Sequence, residues 1–360
     1  MKQFSKYLIC FGLFSGLMTE HAFAQQEAQF SNYIHNPYLF NPAAGGMMDV
    51  IQVDLGYRNQ WISTSGNPTS TFLTGHFQVG SKNQGTTGIG EFNINRENVY
   101  QTPNRSIGSL KHVVGGKFIN DAIGPFQKTS VFGSYAVHLP LLQNLNMGVG
   151  LAAGWGNFQI NPNKTILHDP NDATFNQFAG QTARQNNLDL QTGIVLYNNR
   201  FLFSLSATQL LKPTISINQI ETLNTLNRHL FVMSSYRFEI SEKIDLEPFA
   251  FLKAVQNSPI ALDLGARIKY NKSIWGGLQY KTGNSFAVTA GMNFLRNFSL
   301  AYAFEYGAKA TRISNAGTHE VQIGILIGNN RNTDKEIKES KKKAGEETPP
   351  ANPVDNNKKE

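Results

Sequence analysis

Leu262-Asp263-Leu264-Gly265-Ala266-Arg267-Ile268-Lys269-Tyr270 places apolar residues at every even position and polar residues or glycine at every odd one. A period of two describes a strand with one greasy face and one polar face. The same alternation runs through Ile51-Gln52-Val53-Asp54-Leu55-Gly56-Tyr57-Arg58. It recurs at Leu188, Leu190, Thr192, Ile194 and Leu196, at Phe286, Val288, Ala290, Met292 and Phe294, and at Leu300, Tyr302, Phe304 and Tyr306. Working outward from these runs predicts strands over 51–60, 70–79, 109–119, 127–138, 145–158, 187–198, 201–208, 228–239, 244–255, 260–271, 274–281, 286–294, 298–306 and 319–327. Tight polar turns separate several of them, such as Asn198-Asn199 and Lys281-Thr282-Gly283-Asn284, while Phe158–Asn187 and Leu211–Asn227 read as long polar excursions. Residues 85–105 hold one further candidate strand, Thr87–Asn95, taken here as part of a long loop.

Fourteen strands, all but one of 8–12 residues, match the length needed to cross a bilayer, and an even count returns both ends of a barrel to one side. Composition agrees: only 16% of the 360 residues are charged, 11% are aromatic, and there are 32 glycines. A disordered chain would be charge-rich and aromatic-poor, and past the first twenty positions no apolar run is long enough for a helical span. In a soluble sandwich the polar faces would meet solvent. In a barrel the apolar residues face lipid, with Tyr57, Tyr270, Tyr280 and Tyr306 near strand ends as an interfacial girdle. The other face, carrying Asp54, Arg58, His76, Asp189, Arg237, Glu247, Asp263, Arg267, Lys269, Glu305 and Glu320, lines an aqueous lumen with cross-strand ion pairs. The expected fold is therefore all-β: a transmembrane antiparallel β-barrel over 50–328.

The flanks read differently. Lys2 and Lys6 precede the apolar run Tyr7–Met18 and then Ala22-Phe23-Ala24, which is the three-part pattern of a signal peptide over 1–24. The single cysteine, Cys10, lies inside it, so disulfides, thiolate metal sites and cysteine catalysis are excluded beyond it. Residues 329–360 carry 8 Lys/Arg and 7 Asp/Glu with Pro349-Pro350 and almost no aliphatics, and read as a disordered charged tail, either a solvated end or a periplasmic tether.

Between leader and barrel, residues 25–49 contain Ala28-Gln29-Phe30-Ser31-Asn32-Tyr33 and Asn36-Pro37-Tyr38-Leu39-Phe40-Asn41-Pro42-Ala43-Ala44-Gly45. This resembles the opening signature of the PorP/SprF family, outer-membrane proteins of the type IX secretion system in Bacteroidota. The resemblance continues through Gly56-Tyr57-Arg58-Asn59-Gln60-Trp61, Phe118-Ile119-Asn120-Asp121-Ala122-Ile123-Gly124-Pro125, Leu167-His168-Asp169-Pro170, Arg228-His229-Leu230-Phe231, Leu246-Glu247-Pro248, Tyr280-Lys281-Thr282-Gly283 and His319-Glu320-Val321. It departs from the family in Ala28, where the family usually has Pro, in the length of 85–111, and in the charged tail. The resemblance implies a β-barrel that supports export or surface attachment of adhesins and other sorting-domain cargo, often in gliding bacteria, together with periplasmic lipoproteins bound to peptidoglycan.

The motif has its own physical reading. Proline fixes φ and biases the residue before it towards extended backbone, so Asn36-Pro37 and Asn41-Pro42 make two rigid bends. Residues 25–46 then form either a plug or lid on the periplasmic side or a plain leader into the first strand. Asn36, Pro37, Asn41 and Pro42, with Asn120, Asp121, Gly124 and Pro125 of the 120–125 turn, are the candidate residues for shaping partner-docking surfaces. No enzymatic chemistry stands out. Neither a phosphate-binding loop nor H-E-x-x-H is present, and Asp169-Pro170-Asn171-Asp172 lacks the Gly and Glu of a calcium loop. His168 is an isolated imidazole, and Ser70 with His76 gives only weak grounds for a barrel lipase. No cofactor is implied, dispersed basic residues give no nucleic-acid site, and outer-membrane lipid is the expected surroundings. A passive pore for small solutes is the competing function.

Overall fold

The computed structural model describes residues 27–48, 50–80, 109–161, 164, 183–212 and 214–327, apart from short gaps at 63–65, 143, 218–219, 257, 272, 283, 295–296 and 308–316. The leader (1–24), the 85–105 stretch, the Leu167–Asp172 loop and the tail over 329–360 lie outside the described residues. The strands, in chain order, are β1 (Ile51–Asn59), β2 (Thr69–Gln78), β3 (Lys111–Ile123), β4 (Phe126–Leu142), β5 (Leu145–Ile160), β6 (Ala183–Tyr197), β7 (Phe201–Thr208), β8 (Thr214–Ile217), β9 (Ile220–Thr225), β10 (His229–Tyr236), β11 (Phe238–Ser241), β12 (Ile244–Val255), β13 (Ala261–Tyr270), β14 (Ile274–Lys281), β15 (Ser285–Phe294), β16 (Phe298–Gly307) and β17 (Thr318–Ile327).

Each barrel strand pairs antiparallel with its neighbours. β10 pairs with both β7 and β12, and β1 pairs with β17 from Ile51↔Ile327 to Asn59↔His319. The sheet therefore closes on itself as a 14-stranded barrel of β1–β7, β10 and β12–β17. β11 continues the β10 edge beside β12, and β8–β9 is a separate hairpin within the connection that sequence reads as an irregular excursion. Ile51 and Ile327 share one rim, called here the proximal end; Asn59 and Thr318 mark the distal end.

The predicted strands match the fourteen barrel strands closely. The main difference is length. β4 runs for 17 residues and β5 for 16, and β3 and β6 also outrun their predicted limits. Those of β3, β5 and β6 are at the distal end, where polar side chains bond across strands: Gln127 Nε2 and Thr129 Oγ1 each donate to Asn120 Oδ1 at 2.8 Å, and Asn157 Nδ2 donates to Asn186 Oδ1 at 2.7 Å; β4 instead gains residues 139–142 at its proximal end. At the distal end polar residues are mixed with Ile123, Phe126 and Phe158, so the period-two signal fades although the ladder continues.

Side chains sort as the alternation predicts. Leu55, Leu73, Val131, Leu151, Leu188, Leu264, Leu278, Phe286 and Ile323 are exposed on the outer face, and Tyr57, Tyr270, Tyr280 and Tyr306 are exposed towards the two rims. Asp54, Arg58, His76, Asp189, Glu247, Asp263, Arg267 and Glu320 are buried, pointing inward. Burial of charges on the inner face has a direct cause, because the lumen is not empty. A charge near the middle of the lipid face costs about 2–4 kcal/mol. Leu278→Arg, in the middle of β14, is therefore expected to lower barrel stability by that order in denaturant titrations in lipid vesicles, whereas Thr289→Ser on the inner wall should leave it almost unchanged.

Candidate functional site

Fourteen strands enclose a bore wider than wall side chains alone can fill; eight-stranded barrels are about the limit for that. Residues 27–48 occupy the space. Phe30, Tyr33, Ile34, Tyr38, Leu39, Phe40, Ala43 and Ala44 are all buried, Tyr33 at 1% exposure, and the six larger ones each contribute roughly 1.5–3 kcal/mol on leaving water. Phe30, Tyr33 and Phe40 join Phe72, Phe231, Met233, Phe249 and Phe251 of the wall in one apolar cluster. Tyr33 lies with its ring centroid 4.5 Å from that of Phe251, and Phe40 packs edge-on against Phe231 and Phe251. The sequence left open a plug or lid on the periplasmic side and a plain leader; the segment from Glu27 onward instead fills the bore from its proximal to its distal end.

Its path is held at three levels. At the distal end Glu27 Oε1 pairs with Lys128 Nζ at 3.3 Å and accepts from Gln209. Just inside, the main-chain amides of Ser31 and Asn32 donate to the two oxygens of Glu320 at 2.7 and 2.9 Å. Ser31 Oγ donates to Glu305 and accepts from Arg58 and Lys281, and Ser31 O accepts from Gln279. Arg58 bridges Glu305 at 2.8 Å and Glu320 at 3.2 Å, while Lys281 reaches Glu305 at 2.6 Å. Two cations and two carboxylates thus form a neutral, densely bonded latch around one serine. Such a buried network is favourable only while every member keeps its partners.

The middle level is built by the two Asn-Pro bends. Pro37–Leu39 and Pro42–Ala44 are single 3-10 turns, each with proline at its start, where the missing N–H costs nothing. Asn36 Nδ2 donates to Thr74 Oγ1 at 2.9 Å. Asn41 caps its own turn by accepting from Ala43 N at 2.8 Å, and its amide donates to Ser204 Oγ at 2.7 Å and to the carbonyl of Ile194 at 3.0 Å. The wall makes room for it. A Cβ on Gly193 would lie 1.9 Å from Asn41 Oδ1, and one on Gly150 would lie 2.5 Å from Ala43 N and 2.7 Å from its Cα. Gly150, on β5, is where the plug backbone comes against the wall, and Gly193, on β6, is where the Asn41 side chain does. Lys117 Nζ and Ser206 Oγ donate to the carbonyls of Leu39 and Phe40 at 2.8 and 2.9 Å, and Tyr38 OH meets Ser134 Oγ at 2.6 Å.

At the proximal end His138 Nε2 donates to Gly45 O at 2.8 Å, which leaves Nδ1 to accept from Tyr197 OH at 2.9 Å. Gly46, at φ +78°, donates to His76 Nδ1 at 3.1 Å, and Lys111 Nζ reaches Met48 O. His76 is thereby engaged by the plug, while Ser70 bonds Asp121, so the two do not form a catalytic couple. Among the described residues no three His, Cys, Asp or Glu side chains are grouped to hold a metal.

Of the sequence candidates, Asn36, Pro37, Asn41 and Pro42 converge inside the lumen, each buried against the barrel's own wall. Asn120, Asp121, Gly124 and Pro125 are elsewhere, at the distal β3–β4 hairpin, where Gly124 has φ +54° and donates to Gly66 O at 3.0 Å. The Glu320 latch, Lys117, Ser206 and the two contact glycines were not among the candidates. Glu320 was legible only as an inward charge and Gly150 only as one of several glycines in Gly148–Gly156; Lys117, Ser206 and Gly193 carry no such sign.

The family model described as type IX secretion system membrane protein PorP/SprF matches residues 22–325. No curated protein matches the chain. Similar solved structures include the Acinetobacter baumannii outer membrane protein Omp33, at 8% identity over 78% of this chain and 99% of that one, TM-score 0.39. The Pseudomonas putida toluene transporter TodX is 8% identical over 82% and 92%, TM-score 0.40. A Pseudomonas aeruginosa FadL homologue is 7% identical over 80% and 92%, TM-score 0.42.

Two outcomes are expected at this site. Gly193→Leu leaves β6 pairing intact but fills the space of Asn41, so the plug should become cleavable by chymotrypsin at Tyr33, Tyr38 and Phe40 while the barrel resists. Glu320→Ala strands two plug amides and half of the Arg58 pairing, a loss of about 3–5 kcal/mol for a broken buried pair, and should speed the same cleavage; a digestion pattern like the parent's would contradict the latch.

Proposed function

The chain belongs to the type IX secretion system membrane protein PorP/SprF family, and on that premise we propose that it supports export or surface anchoring of adhesins or other sorting-domain cargo, with no bond-making of its own. It is an outer-membrane β-barrel, and lipid is its surroundings. The observation that carries the proposal is the filled lumen: the family's opening motif is seated in the bore by interactions at both ends and the middle. A chain so arranged serves as a fixed platform in the membrane, with its distal loops and proximal turns offered to other components. On the periplasmic side the fitting partner is a peptidoglycan-associated lipoprotein of the secretion system.

The alternative, a passive pore for small solutes, requires an open bore. Purified barrel in planar bilayers is expected to conduct poorly, and a variant lacking residues 27–46 to conduct more. Steady porin-like conductance by the parent protein would favour the pore. Deleting the gene should abolish surface display of sorting-domain adhesins; unchanged display with reduced solute uptake would overturn the proposed role.

A further inference from the structure

The plug has a direction. β1 starts at the proximal end with Ile51 and reaches the distal end at Asn59. Residues 45–48 are held by proximal groups: His138, His76 and Lys111 all lie towards the rim where β1 begins. Ser31 is held by distal groups, since Arg58 is the penultimate residue of β1 and Lys281 the last of β14. Glu27 meets Lys128, near the distal start of β4, and Gln209, just past the distal end of β7. Traced back from Ile51, the chain therefore enters the lumen at the proximal end and leaves it at the distal one.

Which end faces outward follows from charge and loop length. After Ile327, at the proximal rim, come 8 Lys/Arg and 7 Asp/Glu within residues 329–360. A proximal end outside the cell would require carrying all of these across the bilayer. Distal connections include 161–182, 209–228 and 308–317, while proximal ones include the short turns 143–144, 198–200, 271–273 and 295–297; long loops lie outside and short turns face the periplasm. Residues 79–110 are the exception, a long connection at the proximal rim.

We infer that the plug is threaded outward through the whole barrel, so that Glu27 stands at the cell-surface mouth although the first strand begins on the periplasmic side.

Single cysteines test this in a Cys10→Ala background, which has no other thiol. Glu27→Cys marks the plug tip, Gln256→Cys a distal loop and Glu242→Cys a proximal turn. With a membrane-impermeant maleimide on intact cells, Gln256→Cys is expected to label readily, Glu27→Cys more slowly because its site is partly buried, and Glu242→Cys only after permeabilisation. An unlabelled Glu27→Cys beside a labelled Gln256→Cys overturns the threading while leaving the barrel's orientation in place. Labelling of Glu242→Cys but not Gln256→Cys on intact cells means the barrel sits the other way up, and the inference falls with it. Since Glu27→Cys removes the contact to Lys128, a short epitope inserted ahead of Glu27 gives a second reading: antibody must bind intact cells, and failure to do so with the protein present in the outer membrane overturns the inference too.

Discussion

A backbone N–H or C=O facing hydrocarbon has no water to bond, so a sheet crossing a membrane must pair its last strand with its first. Here that closure is the pairing of β1 with β17, in register over nine residues. Much else follows from it. Closure at fourteen strands sets the width of the bore; the width leaves space that wall side chains do not span; and the space is filled by the segment immediately ahead of β1. Glycine and alanine on the inner wall, as at Gly150, Gly193, Ala287, Ala301 and Ala303, are the counterpart of the bulk that Phe30, Tyr33, Tyr38 and Phe40 bring.

The plug is recognised in two different ways along its length. Near the distal end the wall grips main chain: the Glu320 carboxylate takes two successive amides and Gln279 takes a carbonyl. In the middle it reads side chains and turn shape, since the place of Asn41 exists only because position 193 carries no Cβ. Charge balance is local as well. Glu247 is shared by Arg267 and Lys269, and Lys253 pairs with Asp263 at 2.9 Å, so the inward charges named from sequence are largely neutralised within the wall. A lumen arranged in this way is a packed interior lined with polar groups.

Fold was legible because lipid on one side and polar contacts on the other impose a strict alternation, visible at Leu262–Tyr270 without any other information. The alternation fades in the distal parts of β3, β5 and β6, where Asn120, Asn157 and Asn186 bond across strands and break the apolar series. At the site, the Asn-Pro bends could be read because proline and asparagine have local conformational consequences. What could not be read was where the bends would sit. Asn41 and Gly193 are far apart in sequence, and nothing local in either marks the contact. Arg58, Glu305 and Glu320 were recognisable as inward charges, but pairing them around Ser31 depends on the curvature of the closed sheet, which single-strand patterns do not encode. The 120–125 turn shared the resemblance to the family yet belongs to the distal rim.

The register of β1 with β17 has a consequence for the order of assembly. That seam joins the two most distant strands of the chain, while every other barrel pairing links strands adjacent in sequence or separated by one excursion. Pushing the rings of Tyr33, Tyr38 and Phe40 lengthwise through a finished cylinder would force each past walls already in contact with it. Laying them on the still-open sheet meets no such obstacle, and the cylinder then wraps its own occupant before zipping shut.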